Sequence, residues 1–280
     1  MTRLLAYRGN EPERLRIALS SLRATLFPDV SDEDLLTEGN ADKQPSGPKT
    51  RWGLGYYIGG ELYVQRFAGM SLHGFTGLCA LRSDVALLQR GDADAHNVPS
   101  YCYGRLLLSM QGTVPAPSLP PGSLSTVAPL VPETSLELPA FLRRNLRDGS
   151  AGELLLHRFC ARLYEADPEY LKDPRLPVEV ALAVLSAVVP TIRGAGQLQV
   201  AVSNGDWLIV ARRGSQPIFY RALNGVTEVE QRFENYRGLF AIADPLLSPD
   251  AARAAGLTEL PSDHALVVLP DLAVRAQPLT

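Results

Sequence analysis

An α+β layered fold is the class this sequence predicts, and two observations predict it. Strand-length apolar runs occupy the first third of the 280 residues, helix-length apolar patterns the middle, and strand-length runs return in the last third. Two turn pairs, Gly59-Gly60 and Asn204-Gly205, each fall between two such runs, the local signature of an antiparallel hairpin.

Residues 2–7 are apolar and short and lead into Gly9-Asn10, a strand ending in a turn. Residues 11–26 place Leu15, Leu19, Leu22 and Leu26 at helical spacing, with Pro28 as a stop. Around Pro45, Gly47 and Pro48 the stretch 40–50 reads as a loop. Strands are expected at 52–58, 61–67, 84–88 and 104–110, the last running into Gln111-Gly112. A Pro-rich irregular segment follows at about 114–139 and reads as a surface excursion rather than a domain linker. Helices are expected at 138–146, 151–164 and 178–192, then strands at 197–203, 207–212, 218–222, 238–243 and 265–269. No internal repeat is visible.

Thirty acidic and 27 basic residues give a net charge of −3. That near-balance speaks against the basic face that nucleic acid or an anionic membrane requires. The 46% apolar content supports a folded core. Cys79, Cys102 and Cys160 are odd in number and widely spaced, which disfavours a disulfide scaffold or a CxxC metal site. The N-terminal run carries charge at once, and 178–192 contains Glu179 and Pro190 and is too short to span a bilayer. A cytoplasmic protein with no nucleic-acid or membrane partner is expected.

Conventional catalytic signatures are missing. His73, His96, His157 and His264 form no HxxxH or HxH pair, so no metal is expected. There is no GxSxG elbow, no Walker loop and no GxGxxG after a strand, and no cofactor is expected either.

Several short runs nevertheless follow one another in a recognisable order. Met1-Thr2-Arg3-Leu4-Leu5 opens the chain, and Arg51-Trp52-Gly53-Leu54-Gly55-Tyr56-Tyr57 comes after the polar loop. Leu87-Leu88-Gln89-Arg90, Asn97-Val98-Pro99-Ser100-Tyr101 and Ser109-Met110-Gln111-Gly112 come next, then Ser150-Ala151-Gly152-Glu153 and Ser203-Asn204-Gly205-Asp206. Together they resemble class II glutamine amidotransferases, especially the short bacterial members related to the ergothioneine-pathway hydrolase, which begin Met-Cys-Arg-Leu-Leu. The resemblance covers nearly the whole chain. It implies one domain over residues 1–280, with the four-layer αββα sandwich of the N-terminal-nucleophile hydrolases. In that family the processed N-terminal residue attacks the glutamine amide and its own α-amine is the base. A free α-amine titrates near neutral pH and lies within reach of its own side chain, so no histidine is needed.

Transferred residue by residue, the family pattern is altered at the site. Thr2 occupies the nucleophile position in place of cysteine, and a hydroxyl is the poorer nucleophile. Gln111-Gly112 replaces the Asn-Gly of the oxyanion hole; Gly112 retains its backbone N–H, and Gln111 carries its amide on a stem one methylene longer. Misplacing such a donor costs up to roughly 10²–10³ in rate. Arg90 falls where the glutamine α-carboxylate is held, a task suited to a guanidinium fork. Asn97 matches a second substrate-binding position, while Ala151 replaces the aspartate that holds the α-ammonium, with Asp148 and Glu153 the nearby carboxylates. Leu88, Pro99 and Met110 stand where the family has histidines, which implies a drier pocket.

The leading expectation is therefore a class II amidotransferase-like protein whose glutamine hydrolysis is weak or lost, acting as a binding or regulatory component. Its ligand would be a small-molecule amide or carboxylate, and a partner enzyme is possible. The alternative is an active N-terminal-threonine amidohydrolase using Thr2 on a carboxylate-bearing amide other than glutamine, which requires removal of Met1. A synthase-coupled amidotransferase, passing ammonia to an acceptor enzyme elsewhere, ranks third.

Overall fold

Strand β1 (Arg3–Gly9) is buried at every position, and a strand apolar on both faces belongs in the middle of a sheet with a layer on each side. In the computed structural model, which describes residues 3–15, 51–68, 81–91, 100–112, 138–147, 150–173, 175–191, 197–228 and 231–279, that is where it lies. The remaining strands are β2 (Arg51–Ile58), β3 (Glu61–Ala68), β4 (Val85–Gly91), β5 (Tyr101–Tyr103), β6 (Leu106–Gly112), β7 (Leu198–Ser203) and β8 (Leu208–Arg213). The chain then continues through β9 (Phe219–Glu228), β10 (Gln231–Ala243), β11 (Thr258–Glu259), β12 (His264–Val268) and β13 (Val274–Pro278). They form a seven-stranded sheet in the order β11-β9-β10-β1-β4-β2-β3 and a six-stranded sheet in the order β13-β12-β8-β7-β6-β5. Every pairing is antiparallel.

Strand alternation sorts the apolar side chains into three cores. Leu4, Ala6, Leu87 and Ala241 of the first sheet meet Leu107, Ala201, Val210 and Leu266 of the second, so the sheets pack face to face. At Gly55 an added Cβ would lie 2.3 Å from a Leu107 methyl, so the missing side chain lets the sheets approach. On the outer face of the second sheet, Leu108, Val200 and Ile209 pack against α2 (Ala151–Ala166) and α3 (Val178–Val188). Outside the first sheet, Leu5, Tyr7, Trp52 and Tyr56 share a core with Leu15 and with Ala252 of the short α4 (Pro249–Ala254). The result is an α+β fold of two antiparallel sheets with helices.

The hairpin at Gly59-Gly60 forms as expected, with both residues at positive φ (58° and 83°) as a primed turn needs. At Asn204-Gly205 the turn is longer than two residues, because β8 starts at Leu208. Asn204 Oδ1 accepts the N–H groups of Asp206 and Trp207 at 3.0 and 3.2 Å, and Gly205 takes φ 97°. The helix expected at 178–192 stops at Val188 and tightens into a 3₁₀ turn over Val189–Thr191, where Pro190 has no N–H to give. Of the helix expected at 138–146 one turn forms, α1 (Ala140–Arg143). From 11–26 the described part is a 3₁₀ turn at Pro12–Arg14; the rest, the loop at 40–50 and most of the Pro-rich segment lie outside the described residues. No described helix is long and apolar enough to cross a membrane.

Candidate functional site

The start of β1 and the ends of β4 and β6 come together at one end of the two sheets. In the first sheet Arg3 lies opposite Arg90, and Arg90 opposite Trp52. The second sheet is joined to this row by Gln89, whose Oε1 accepts the Met110 N–H at 3.1 Å and whose Nε2 donates to the Met110 carbonyl at 2.5 Å. Thr2 and Asn97 lie outside the described residues, so the structure begins one residue after the candidate nucleophile.

The residue directly after Thr2 is firmly anchored. Arg3 Nε pairs with Asp244 Oδ2 at 3.0 Å with both side chains buried, and Asp244 Oδ1 accepts the Leu246 N–H at 2.9 Å. A buried ion pair of this kind fixes geometry more than it adds stability. It sets the register of β1 at its first described residue.

Arg90 and Gln111 do not share a face. Alternation along β4 sends Leu87 and Gln89 into the gap between the sheets, and Leu88 and Arg90 to the outer side. There the Arg90 guanidinium carbon lies 5.7 Å from the Trp52 ring centroid, a cation–π distance. On β6, Leu107 and Gln111 face the gap, and Gln111 stands opposite Gln199, which stands opposite Arg212. Arg212 donates to Glu259 Oε1 at 2.6 Å and to the carbonyls of Leu260 and Ser215, so this buried cation is well satisfied. Gln111 is only 8% exposed, and its Oε1 is buried without a hydrogen-bond partner.

Gly112 holds φ 140°, and an added Cβ would lie 2.4 Å from the Gln197 carbonyl oxygen. The end of β6 at Gln111-Gly112 is therefore specified by its backbone. The α2 N-terminus sits against β5: a Cβ on Gly152 would lie 2.1 Å from the Tyr101 ring. Glu153 Oε1 accepts the Arg147 N–H at 2.7 Å, so this carboxylate is engaged in holding the loop before α2. Asp148 lies outside the described residues.

Of the three positions where histidine is replaced, Leu88 sits in the outer core of the first sheet and Met110 in the helix-side core of the second. Neither faces the gap that holds Gln111, and Pro99 lies outside the described residues. His157 is buried; its Nδ1–H donates to the Glu153 carbonyl at 2.9 Å, and its ring meets Tyr103 edge-on. Cys102 and Cys160 are free thiols, and complete burial pushes the Cys160 thiol well above its ordinary pKa. Among the described residues no three His, Cys, Asp or Glu side chains gather as a metal site. Sequence reading missed Gln89 and Asp244 as organisers of this end. The available signal was a single amide directly after the apolar run 85–88 and a carboxylate directly after a buried strand.

No family model matches the chain, and no curated protein matches it. Solved structures do. A glutamine aminotransferase class-II domain protein from Silicibacter pomeroyi is similar over 99% of both chains, with 15% identity and a TM-score of 0.54. Glutamine phosphoribosylpyrophosphate amidotransferase from B. subtilis aligns with 99% of this chain and 49% of its own, with 13% identity and a TM-score of 0.53. A predicted glutamine amidotransferase from Pseudomonas aeruginosa PA01 aligns over 99% and 96%, with 14% identity and a TM-score of 0.50. The chain thus spans about half the length of the B. subtilis enzyme and nearly the full length of the other two. At these identities the likeness is one of fold: the chain has the fold of class II glutamine amidotransferase domains.

Proposed function

We propose that this chain is a class II glutamine amidotransferase-like binding component, in which glutamine hydrolysis is weak or lost and a small amide or carboxylate is held at the shared end of the sheets. The observation that carries this reading is Gln111. Hydrolysis of an amide builds negative charge on the former carbonyl oxygen, which needs donors 2.7–3.1 Å away. At the position of the family's donor, Gln111 carries its amide on a stem one methylene longer and turns its oxygen into the buried interior without a partner, so the family's donor is not reproduced there. The replacement of cysteine by Thr2 and of the clamping aspartate by Ala151 points the same way. The reading includes the complete αββα sandwich as a single domain, Asn97 as a ligand contact without Arg90, which lies on the outer side of the first sheet, a cytoplasmic location, and a partner enzyme rather than a nucleic acid or membrane.

The test is ammonia release from L-glutamine by purified protein whose N-terminus has been established by intact-mass measurement, with Thr2→Ala as control. Expected is no release above the control. Hydrolysis at ordinary enzymatic rates that disappears in Thr2→Ala would overturn the proposal. Thr2-dependent release from a different carboxylate-bearing amide would select the threonine amidohydrolase instead.

A further inference from the structure

Each sheet has two edges, and one of the four stands out. β5 runs over three residues and β11 over two, and β13 ends in Pro278, which has no N–H to give. β3 pairs with β2 along all eight residues, and among the described residues no strand lies on its other side. Its hairpin also carries two of the large hydrophobic side chains left exposed, Ile58 at 43% and Tyr63 at 46%. The two-residue turn makes Ile58 and Glu61 a hydrogen-bonded pair, so Glu61, Tyr63 and Gln65 bond to β2. Leu62 and Val64 therefore turn their N–H and C=O groups outward along the free edge.

We infer that β3 docks antiparallel on β3 of a second copy of this chain, joining two seven-stranded sheets into one continuous sheet. A two-fold axis through such a pairing sets one residue opposite itself, and the side chains select which. With the axis at Tyr63, Leu62 of each copy forms a hydrogen-bonded pair with Val64 of the other. Apolar Leu62 then faces Val64, the Glu61 carboxylate faces the Gln65 amide, and Tyr63 faces Tyr63. Gln65 Nε2 gives one N–H to the Tyr56 hydroxyl at 3.0 Å and keeps the other for the carboxylate. The tyrosine contact extends the stack of Tyr63 on Tyr56, whose ring centroids are 5.5 Å apart. With the axis at Val64 instead, Leu62 would face the Arg66 guanidinium, a poorer match. The contact is little more than a strand edge, smaller than the roughly 1,600 Å² of a standard interface, so the dimer is weak, with a Kd of about 10 µM. It is independent of what the site at the other end of the sheets binds.

Sedimentation velocity on the full chain from about 1 to about 100 µM tests this. The wild type is expected to pass from monomer to dimer across that range, and a monomer throughout overturns the inference without reliance on any variant. Tyr63→Lys, at an exposed position, sets like charges directly opposite each other and should weaken the dimer about tenfold. An equally strong dimer in this variant would place the contact on another surface and also overturns the inference. The register is read by cross-linking under mild oxidation, with the wild type as the control for the native cysteines. Tyr63→Cys puts two thiols at a closely spaced pair, within reach of a disulfide, whereas Gln65→Cys leaves them about 13 Å apart along the strands. The first variant should give a dimer on a non-reducing gel and the second should not. Cross-linking of both alike, or of neither, overturns the pairing.

Discussion

Gln89 and Met110 join the two sheets through a single side-chain amide that makes both of its hydrogen bonds to one residue's backbone. The reason lies in strand lengths. β5 pairs with β6 only from Leu106 to Leu108, and beyond that point β6 has no neighbouring strand on this side among the described residues. The Gln89 amide presents one donor and one acceptor to Met110, much as a peptide of an adjoining strand would. It thereby fixes the backbone immediately before Gln111-Gly112.

Replacing Gln89 by Leu should leave the Met110 N–H and carbonyl without these partners in a buried place, at a cost of about 2–4 kcal/mol. A lowered midpoint of urea unfolding and faster hydrogen exchange at the Met110 amide are the expected readouts. An unchanged midpoint together with unchanged exchange would show that the amide is not what holds β6.

Gly112→Ala should be harmful for a separate reason. Its φ of 140° disfavours any side chain, and the new methyl would meet the Gln197 carbonyl at 2.4 Å. The expected loss is about 2 kcal/mol or more, with this end of β6 displaced. Thermal unfolding and carboxamide titration measure the two consequences. A variant with wild-type values in both would contradict the assigned backbone conformation.

The central framework was legible because its pattern and its environment agree. β1, β2, β4, β7, β8 and β12 are apolar runs bounded by Gly, Asn or Asp, and α2 and α3 follow the 3.6-residue period. Edge and overlong elements were not legible. β13 (Val274–Pro278) reads Val-Arg-Ala-Gln-Pro and is exposed almost throughout, so it forms through pairing with β12 rather than through its own preference. β9 continues past Asn224-Gly225, a pair that reads as a turn, because the long β10 offers it partners on the far side. The site divides in the same way. The family positions could be placed in order, but Leu87 and Leu88 are both apolar, so periodicity could not tell which face of β4 meets the second sheet. That ambiguity decides whether Arg90 or Gln89 enters the gap, and only the packing of β4 against β6 resolves it.

The buried pair Tyr7 and Tyr236 gives the protein a defined alkaline limit. Their hydroxyls lie 3.1 Å apart in the outer core of the first sheet, and burial raises both pKa values above the ordinary 10. Tyr57 is raised as well, chiefly by burial, although its hydroxyl reaches the Arg105 and Ser203 carbonyls. Unfolded tyrosines ionise near pH 10 while these remain protonated in the native state, so above that pH the unfolded chain holds fewer protons. Stability is therefore complete below about pH 10 and declines as pH rises beyond it, by about 1.4 kcal/mol per pH unit for each tyrosine. Phenolate absorbance from these residues should appear together with the loss of tryptophan fluorescence, not before it. Tyr7→Phe should cost about 1 kcal/mol at neutral pH, because the Tyr236 hydroxyl loses its partner, yet it should reduce the slope above pH 10 by one tyrosine's share. Tyrosine ionisation completed while the protein remains folded would show that the pair is reached by water.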